Sequence, residues 1–439
     1  MKVSELSSYV KQIDSYKRYG RIKRVVGLMI ESQGPVSSIG DVCYIHVNTN
    51  RQDGKIMAEV VGFKDEIVIL MPYTTVKDIS PGAIVEAVGC PLEIKVGPGL
   101  IGYALDAMGN PLDGSSLPGG LHSVVTDQEP PGPLRRPRIT DAIETGVRVI
   151  DSLLTVGKGQ RVGIFAGSGV GKSTLLGMVA RNSSADLNVI ALVGERGREV
   201  REFIERDLGP EGLERSIVIV ATSDQPPLMR IKAADTATAI TEYFRDRGMD
   251  VMLMMDSVTR VAMAQREIGL AIGEPPTTKG YTPSVFSTLP KLLERTGTNE
   301  VGSITAFYTV LVDGDDMNEP IADTVRGILD GHFVLDRKLA NKGQFPAINV
   351  LRSISRVMPN IVEPNHAKAA EAARQYLSSY LEAEDLINIG AYKKGTNQLI
   401  DEAIGKYPLI IDYMKQGVDE KVTKKQAIEN LLLLTKAGG

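Results

Sequence analysis

The chain has 439 residues, of which 43% are hydrophobic and 24% charged, and its formal net charge is −4. This composition is ordinary for a globular protein of roughly three domains, and it excludes wholesale disorder, a fibrous repeat and a surface built for duplex nucleic acid. Two cysteines, four scattered histidines and the lack of an apolar run of about 18 residues argue against a disulfide framework, a histidine metal site and a membrane-spanning helix, so we expect a soluble cytoplasmic chain.

The first residues predict a short helix over 1–14, because apolar side chains recur there at helical spacing. They are Val3, Leu6, Val10 and Ile13. Periodicity leaves two interpretations open: the helix docks on its own domain, or it is an arm that binds a partner. We assign residues 1–18 to this N-terminal arm. A basic cluster ends it, for which we expect a solvated surface at a domain junction rather than a nucleic-acid patch. The cluster comprises Lys17, Arg18, Arg21, Lys23 and Arg24.

Residues 19–95 predict a small β-barrel domain. Short segments rich in Val and Ile are separated by turn signals such as QGP, RQDG and SPG, a spacing typical of an all-β barrel. The strand candidates are RIKRVVGLMIES, DVCYIHV, IMAEVVGF, EIVILMPY and AIVEAVG.

Residues 96–364 predict a P-loop (RecA-like) α/β domain. The domain includes a proline-rich stretch, 126–138, for which we expect an irregular strap. Beyond the strap, short apolar runs alternate with helical patterns, which indicates a mostly parallel sheet buried on both faces. The strand candidates are RVGIFA, NVIALVG, SIVIVAT and VMLMMD, and a helix over 258–268 follows the last of them.

Residues 365–439 predict a helical domain. Asn365 is the expected N-cap of a helix that ends just before Gly390, and two further helices are expected over 396–405 and 422–435. The expected fold class is therefore α/β, with a small N-terminal β-barrel, a central P-loop domain and a C-terminal helical domain.

The segment AGSGVGKST is the most informative motif. It follows the strand RVGIF and opens the helix TLLGMVA, which is the context that defines a phosphate-binding loop. Backbone N–H groups and the helix N-terminus favour phosphate oxygens, Lys172 reaches the β- and γ-phosphates, and the Ser173 hydroxyl binds Mg²⁺. Ala166 replaces the usual first glycine at a position that needs mainly a small residue. The expected binding residues are Ala166, Gly167, Ser168, Gly169, Val170, Gly171, Lys172, Ser173 and Thr174.

Three charged residues outside the loop complete the expected chemistry. Asp256 ends the apolar run VMLMMD, where a carboxylate is costly to bury unless it meets a cation, so we expect it to hold Mg²⁺. Glu195 follows NVIALVG and is the best-placed carboxylate to activate the attacking water, the alternative being a helix-start acid favoured by the macrodipole. Arg356 is a candidate arginine finger for the transition-state charge, the alternative being a structural ion pair.

Together these motifs resemble the family of rotary ATP synthase α/β subunits. The segments that carry the resemblance are AGSGVGKS, GERGREV, LMMDSVTR and PAINVLRSIS. Within that family the chain is most similar to the flagellar and type III protein export ATPases, over nearly its whole length. The supporting stretches are YGRIKRVVGLMIESQGP, YALDAMGNPLDG, GKGQRVGIFAGSGVGKSTLLGM, PPTTKGYTPSVFSTLPKLLERTG, DGHFVLDRKLA and INIGAYKKG.

The resemblance implies an ATPase that uses ATP and Mg²⁺. It implies that Glu195 activates water with Arg196 beside it, and that Arg260 lies near the γ-phosphate. It also implies that Phe345 packs on the adenine ring and that Arg356 acts across a subunit interface.

The resemblance also implies an assembly and its partners. We expect a homohexameric ring at the inner face of the cell membrane, with a coiled-coil central stalk, the membrane proteins of an export gate and chaperone–substrate complexes as partners. A negative regulator or tether would bind the helix over 1–14. The acidic loop 313–319 resembles the part that faces the stalk, and a solvated turn is the alternative.

Three functions remain in competition at this point. The preferred one is the ATP-hydrolysing motor of a flagellar export apparatus, favoured by YGRIKRVVGL, with an injectisome secretion ATPase as the alternative. An RNA-translocating ring would need aromatic stacking platforms in a basic groove, whereas residues 25–95 offer only Phe63, Tyr44 and Tyr73, so no nucleic-acid partner is expected. A non-catalytic nucleotide-binding subunit would be expected to lack a carboxylate at Glu195.

Overall fold

Residues 16–47, 54–75, 79–312 and 316–436 are described by the structure, a computed structural model. The helix predicted over 1–14 lies outside these ranges, as do residues 313–315 of the acidic loop. Across the described ranges, no helix combines the length and hydrophobicity that a membrane crossing requires.

The N-terminal domain is a closed barrel of six antiparallel strands. They are β1 Tyr19–Val26, β2 Met29–Gln33, β3 Val42–His46, β4 Lys55–Lys64, β5 Ile67–Pro72 and β6 Ile84–Ala87. The order around the barrel is β1-β2-β5-β4-β3-β6, and β6 pairs with β1 to close it. The segment RIKRVVGLMIES, predicted as one strand, is a hairpin of two, because the chain reverses at Gly27 with a φ of 58° that favours glycine.

The central domain is built on a mostly parallel sheet. The strands after the barrel are β7 Glu93–Val96, β8 Ala104–Asp106, β9 His122–Val125, β10 Arg161–Ala166, β11 Leu187–Glu195, β12 Ser216–Thr222, β13 Asp250–Asp256, β14 Gly297–Thr298, β15 Ser303–Leu311, β16 Gly331–Leu335 and β17 Ile354–Ser355. The sheet order is β17-β16-β10-β15-β13-β11-β12-β8, with β14 paired to β15, while β7 and β9 form a separate ribbon. Alternate residues of β11, such as Val189 and Ile190, belong to two different hydrophobic clusters, so the sheet is buried on both faces as predicted.

Helices cover this sheet and form the C-terminal domain. They are α1 Arg148–Leu153, α2 Lys172–Asn182, α3 Gly197–Glu202, α4 Gly209–Leu213, α5 Pro227–Arg245, α6 Val258–Ala271, α7 Pro283–Glu294, α8 Pro320–Ile328, α9 Arg337–Asn341, α10 Met358–Ile361, α11 Pro364–Asn388, α12 Gln398–Met414 and α13 Lys424–Thr435. A π-helical segment, Phe203–Leu208, lies between α3 and α4. The predicted fold class is confirmed, whereas the exact domain limits at 95 and 364 stay predictions.

Two predicted helix limits are wrong, both for reasons that involve proline. α11 begins at Pro364, whose missing N–H suits the first helical turn, so Glu363 rather than Asn365 occupies the N-cap position. The predicted end of α12 at 405 is wrong, because the helix continues through Pro408 to Met414.

Tertiary packing explains why α12 continues past its proline. Tyr407 stacks on Tyr380 of α11 with ring centroids 3.7 Å apart, and Tyr413 and Met414 near the end of the helix are buried. Such contacts override the local cost of Pro408, because propensity is only a weak preference.

Buried ion pairs connect the barrel and the core. Barrel residue Glu59 lies 2.9 Å from Lys232 Nζ of α5 and accepts a 2.5 Å hydrogen bond from the Tyr73 hydroxyl. Deeper in the core, Arg295 makes two parallel hydrogen bonds of 3.0 and 2.7 Å to Glu242.

The strap over 126–138 is irregular apart from one short turn, and its Arg136 donates to the Thr296 carbonyl at 2.6 Å.

We expect the Arg295→Leu variant to lose about 3–5 kcal/mol of unfolding free energy, because Glu242 would keep a buried charge without its partner. The two side chains are only 4% and 1% exposed. Urea unfolding followed by circular dichroism measures the loss. The Arg201→Leu control removes an exposed i,i+4 pair with Glu205 and should leave stability unchanged. Equal midpoints for the two variants would contradict the prediction.

Candidate active site

A cleft of about 520 Å³ opens at the edge of the sheet where the parallel strands β10, β11 and β13 end. This is the edge where ligands bind in open α/β sheets. Eight of the nine predicted loop residues line the cleft, and the ninth, Val170, is buried beneath them. The strand order therefore brings the phosphate loop and the other predicted carboxylates to one place.

The phosphate loop has the predicted strand–loop–helix form. β10 ends at Ala166 and α2 begins at Lys172. Gly169 and Gly171 have φ angles of 76° and 88°, which glycine adopts without strain. Ala166 is 1% exposed, consistent with a position that needs a small residue.

Lys172 lies between two carboxylates. Its Nζ atom is 2.5 Å from Asp256 Oδ1 and 3.6 Å from Glu195 Oε1. Burial alone would lower the pKa of Lys172, but the two carboxylates outweigh it and raise the pKa. Asp256 is 2% exposed and also accepts a 2.8 Å hydrogen bond from the Thr309 hydroxyl. Sequence reasoning missed Thr309, because its strand, β15, was not predicted.

Glu195 has the electrostatics of a base poised near neutral pH. Burial raises its pKa to about 7, helped by the Asp256 carboxylate and a hydrogen bond with Glu199, while Lys172 acts in the opposite direction. The same hydrogen bond lowers the pKa of Glu199. The sequence placed Glu199 in the GERGREV segment without a role. A general base works best when its pKa is close to the working pH.

Two arginines lie at the cleft, and they differ in their burial and in their ionic partners. Arg260 lines the cleft and crosses Gly194 so closely that a Cβ there would lie 2.8 Å from the Arg260 Cβ. In the described part of the chain the Arg260 guanidinium has no carboxylate partner, and its Nε is buried without a hydrogen bond. Arg196 is 78% exposed and lies 3.4 Å from Glu199. Arg260 is therefore the arginine available to an anion.

Phe345 lies beside the phosphate loop. Its ring carbons come within 3.6 and 3.7 Å of the point that a Cβ on Gly171 would occupy, and the residue is 45% exposed. Nearby, Arg337 donates to the Ser168 carbonyl at 3.1 Å, a contact that the sequence did not predict. An exposed aromatic ring thus lies next to the phosphate loop.

Arg356 does not reach this cleft. Its N–H donates to the Asp330 carbonyl at 3.0 Å, and its Nη1 is 3.3 Å from the Leu329 carbonyl. Asp330 also binds Arg161, the first residue of β10, so Arg356 lies at the opposite end of the strands from the phosphate loop. Its side chain is exposed, and within the described residues it forms no ion pair. Among the described residues the alternative of a structural ion pair therefore finds no carboxylate partner, and the role of Arg356 as a finger stays a prediction.

The chain matches known proteins along nearly its whole length. The profile of the ATP synthase alpha/beta family, nucleotide-binding domain, matches residues 146–355, and that of the family's beta-barrel domain matches 22–89. The profile of the T3SS EscN ATPase C-terminal domain matches residues 362–432. The flagellum-specific ATP synthase of Bacillus subtilis is 68% identical over 436 residues, 99% of each chain. The chain belongs to the flagellar and type III secretion ATPases.

Other members of the flagellar and type III secretion ATPases agree with this assignment. The type 3 secretion system ATPase of Xanthomonas euvesicatoria is 50% identical over 421 residues, 95% of this chain and 94% of the relative. The assembled ATPase EscN of enteropathogenic E. coli superposes with a TM-score of 0.89 at 45% identity, covering 95% of this chain and 100% of EscN. The predicted family, the three-part fold and the ATPase class are thereby confirmed.

Proposed function

We propose that this chain is the ATP-hydrolysing motor of a flagellar protein export apparatus, acting as a homohexameric ring. The observation that carries the proposal is the cleft in which Lys172, Asp256 and Glu195 converge on a phosphate loop. The flagellar system is supported by 68% identity to a flagellum-specific ATP synthase, against 50% to the secretion ATPase of Xanthomonas. An injectisome secretion ATPase is the alternative.

In this proposal each residue of the site has a distinct role in binding or hydrolysing ATP. The loop N–H groups and Lys172 bind the phosphates, and Arg260 stabilises charge on the γ-phosphate. Glu195 in its basic form accepts a proton from the attacking water. Phe345 packs against the adenine, and Arg196 lies beside Glu195 to pair with Glu199.

The residues present also fit Mg²⁺, which prefers a few hard oxygen ligands together with substrate phosphates. Ser173 offers a hydroxyl at the cleft wall, and Asp256 offers a buried carboxylate whose neighbour is already a cation, Lys172. These two residues would hold the ion. When bound, Mg²⁺ would neutralise charge on the phosphate oxygens.

The position of Arg356 supports a ring. An exposed arginine that has no ionic partner among the described residues and is remote from its own cleft can act on the cleft of a neighbouring subunit. A repeated head-to-tail contact of this kind forms a ring when the rotation between subunits closes. EscN has been solved as an assembled ATPase and in complex with its central stalk EscO. In the complex with EscO, EscN superposes on this chain with a TM-score of 0.87 at 44% identity.

By analogy we propose the same kinds of partner for this chain. A coiled-coil stalk would contact the acidic loop. The described part of this loop includes Asp316, whose Oδ2 lies 3.5 Å from Lys279 Nζ. The C-terminal helices would face export-gate membrane proteins and chaperone–substrate complexes, which would place the ring at the inner face of the cell membrane. A regulator or tether would bind residues 1–14, outside the described residues.

The two other hypotheses have less support. Tyr73 is 2% exposed and hydrogen-bonded to Glu59, so it cannot serve as a stacking platform for RNA. A non-catalytic subunit would be expected to lack the carboxylate that Glu195 supplies at the cleft.

The Lys172→Ala variant tests the proposal in the organism that carries the gene. Loss of the phosphate-binding cation should abolish ATP turnover by the purified chain and export of flagellar filament protein by the cell, measured by phosphate release and by immunoblots of the culture medium. The matched control, Lys425→Ala, changes an exposed lysine of α13 and should support both. Normal turnover in Lys172→Ala would refute the phosphate-loop site. Intact filament export with loss of another secretion system would favour the injectisome.

A further inference from the structure

Residues 415–420, the first part of the loop between α12 and α13, join the C-terminal helices to the edge of the cleft. Gln416 lies within it and is 5% exposed. The backbone N–H of Gln416 donates to the carbonyl of Phe345 at 2.9 Å. The helical domain therefore contacts the main chain of Phe345, whose aromatic ring lies beside the phosphate loop at Gly171.

The side chain of Gln416 is fully engaged. Its Nε2 donates to the carbonyls of Gly146 at 2.9 Å and of Glu420 at 2.8 Å. Its Oε1 accepts from the N–H of Arg148 at 2.7 Å. A buried amide with every group paired defines one geometry, because any displacement leaves polar atoms unsatisfied. Gln416 thus ties the loop to the start of α1.

Two arginines hold the rest of the loop. The Arg148 guanidinium donates to the carbonyls of Tyr413 at 3.0 Å and Lys415 at 2.7 Å and pairs with the Glu420 carboxylate. Arg181 donates to the Val418 carbonyl at 2.9 Å. Arg181 lies near the C-terminal end of α2, the helix that starts from the phosphate loop, so the loop is anchored to α1 and α2 as well as to Phe345.

We propose that Gln416 is a positioning residue for the nucleotide base. The Gln416 side chain fixes the loop against the start of α1. The Gln416 N–H then fixes the position of the Phe345 carbonyl and with it the position of the Phe345 ring. The ring itself is half-exposed, so its position depends on this backbone anchor more than on packing. The inference rests on the proposed function, since it uses Phe345 as the neighbour of the adenine. It connects movement of the C-terminal helices to affinity for the base and leaves the phosphate contacts unaffected.

The Gln416→Met variant tests this, because methionine has a similar length and lacks the hydrogen bonds. We expect the KM for ATP to rise about 10-fold while kcat changes less than about twofold. Inorganic tripolyphosphate serves as a competitor that binds the phosphate loop without a base, and its inhibition constant should stay within about twofold of the wild-type value. The matched control, Gln398→Met, changes an exposed glutamine at the start of α12 and should alter none of these quantities.

A double-mutant cycle tests whether Gln416 acts through Phe345. In the Phe345→Ala background, Gln416→Met should raise the KM no further, because the ring it positions is gone. If Gln416→Met fails to fold, the milder Gln416→Asn variant keeps a neutral amide and shortens its reach by one methylene, and it should show the same pattern. Equal weakening of ATP and tripolyphosphate, or additive effects with Phe345→Ala, would overturn the inference. Failure of the proposed function is distinguishable, since the wild-type chain would then not hydrolyse ATP.

Discussion

The Glu195→Gln variant is expected to bind ATP with near-normal affinity and to hydrolyse it about 10²–10⁴-fold more slowly. Glutamine keeps the size and the polarity of the side chain but cannot accept the proton of the attacking water. Lys172 and the loop, which bind the phosphates, are unchanged. Fluorescent-nucleotide titration measures binding, and single-turnover phosphate release measures the chemical step.

The pH dependence of the wild-type chain provides a second measure of the same group. Burial and the Asp256 carboxylate raise the pKa of Glu195 to about 7, so the carboxylate loses its basic form as pH falls through that value. The quantity kcat/KM reports the free enzyme, and we expect it to rise between about pH 6 and pH 8 and then level off. The residual activity of Glu195→Gln should lack this rise.

A surface carboxylate provides the control for this variant. Glu202→Gln changes an exposed side chain of α3 and should retain both the rate and the pH profile. A retained kcat in Glu195→Gln, or the same pH-dependent rise, would remove Glu195 from the role of base and restore the interpretation of a helix-start acid.

The phosphate loop could be predicted because its information is local. Strand, glycines and helix follow one another along the chain, and each of them has its own composition. Lys172 and Ser173 then occupy fixed places in the motif. The ends of β11 and β13 were also predictable, since an apolar run that stops at Glu195 or Asp256 places a carboxylate where parallel strands end.

Contacts between distant segments could not be predicted in the same way. Thr309 meets Asp256 only because β15 pairs with β13 in one register, with Met254 opposite Phe307, and a short apolar segment does not specify its register. The same limit applies to Arg337 on Ser168, two distant segments of the central domain, and to Gln416 on Phe345, where a loop of the C-terminal domain meets the central domain. The predicted end of α12 is wrong because the packing that carries the helix past Pro408 is tertiary, whereas the start of α11 follows a local rule, the preference of proline for the first helical turn.

The Arg356→Ala variant is expected to lower ATP turnover by about 10³–10⁵-fold in assembled rings, the usual contribution of an arginine finger. The residue lies at the opposite end of the sheet from its own cleft, so the loss would arise at the neighbouring subunit's cleft. Steady-state phosphate release, with ring assembly checked by light scattering, measures it. The control Arg24→Ala changes an exposed barrel residue that pairs with Glu31 and should keep the wild-type rate.

Mixing two inactive variants separates action in trans from action in cis. In a ring that contains both Arg356→Ala and Glu195→Gln subunits, the cleft of an Arg356→Ala subunit keeps Glu195 and can receive Arg356 from a Glu195→Gln neighbour. Random assembly at equal amounts makes about a quarter of the interfaces complete in this way, so activity should return on mixing. An arginine that acted within its own chain would leave every cleft defective, and the mixture would be as inactive as its components. Restored turnover would therefore establish that Arg356 acts across a head-to-tail contact, since only such a contact brings Arg356 of one chain to Glu195 of the next.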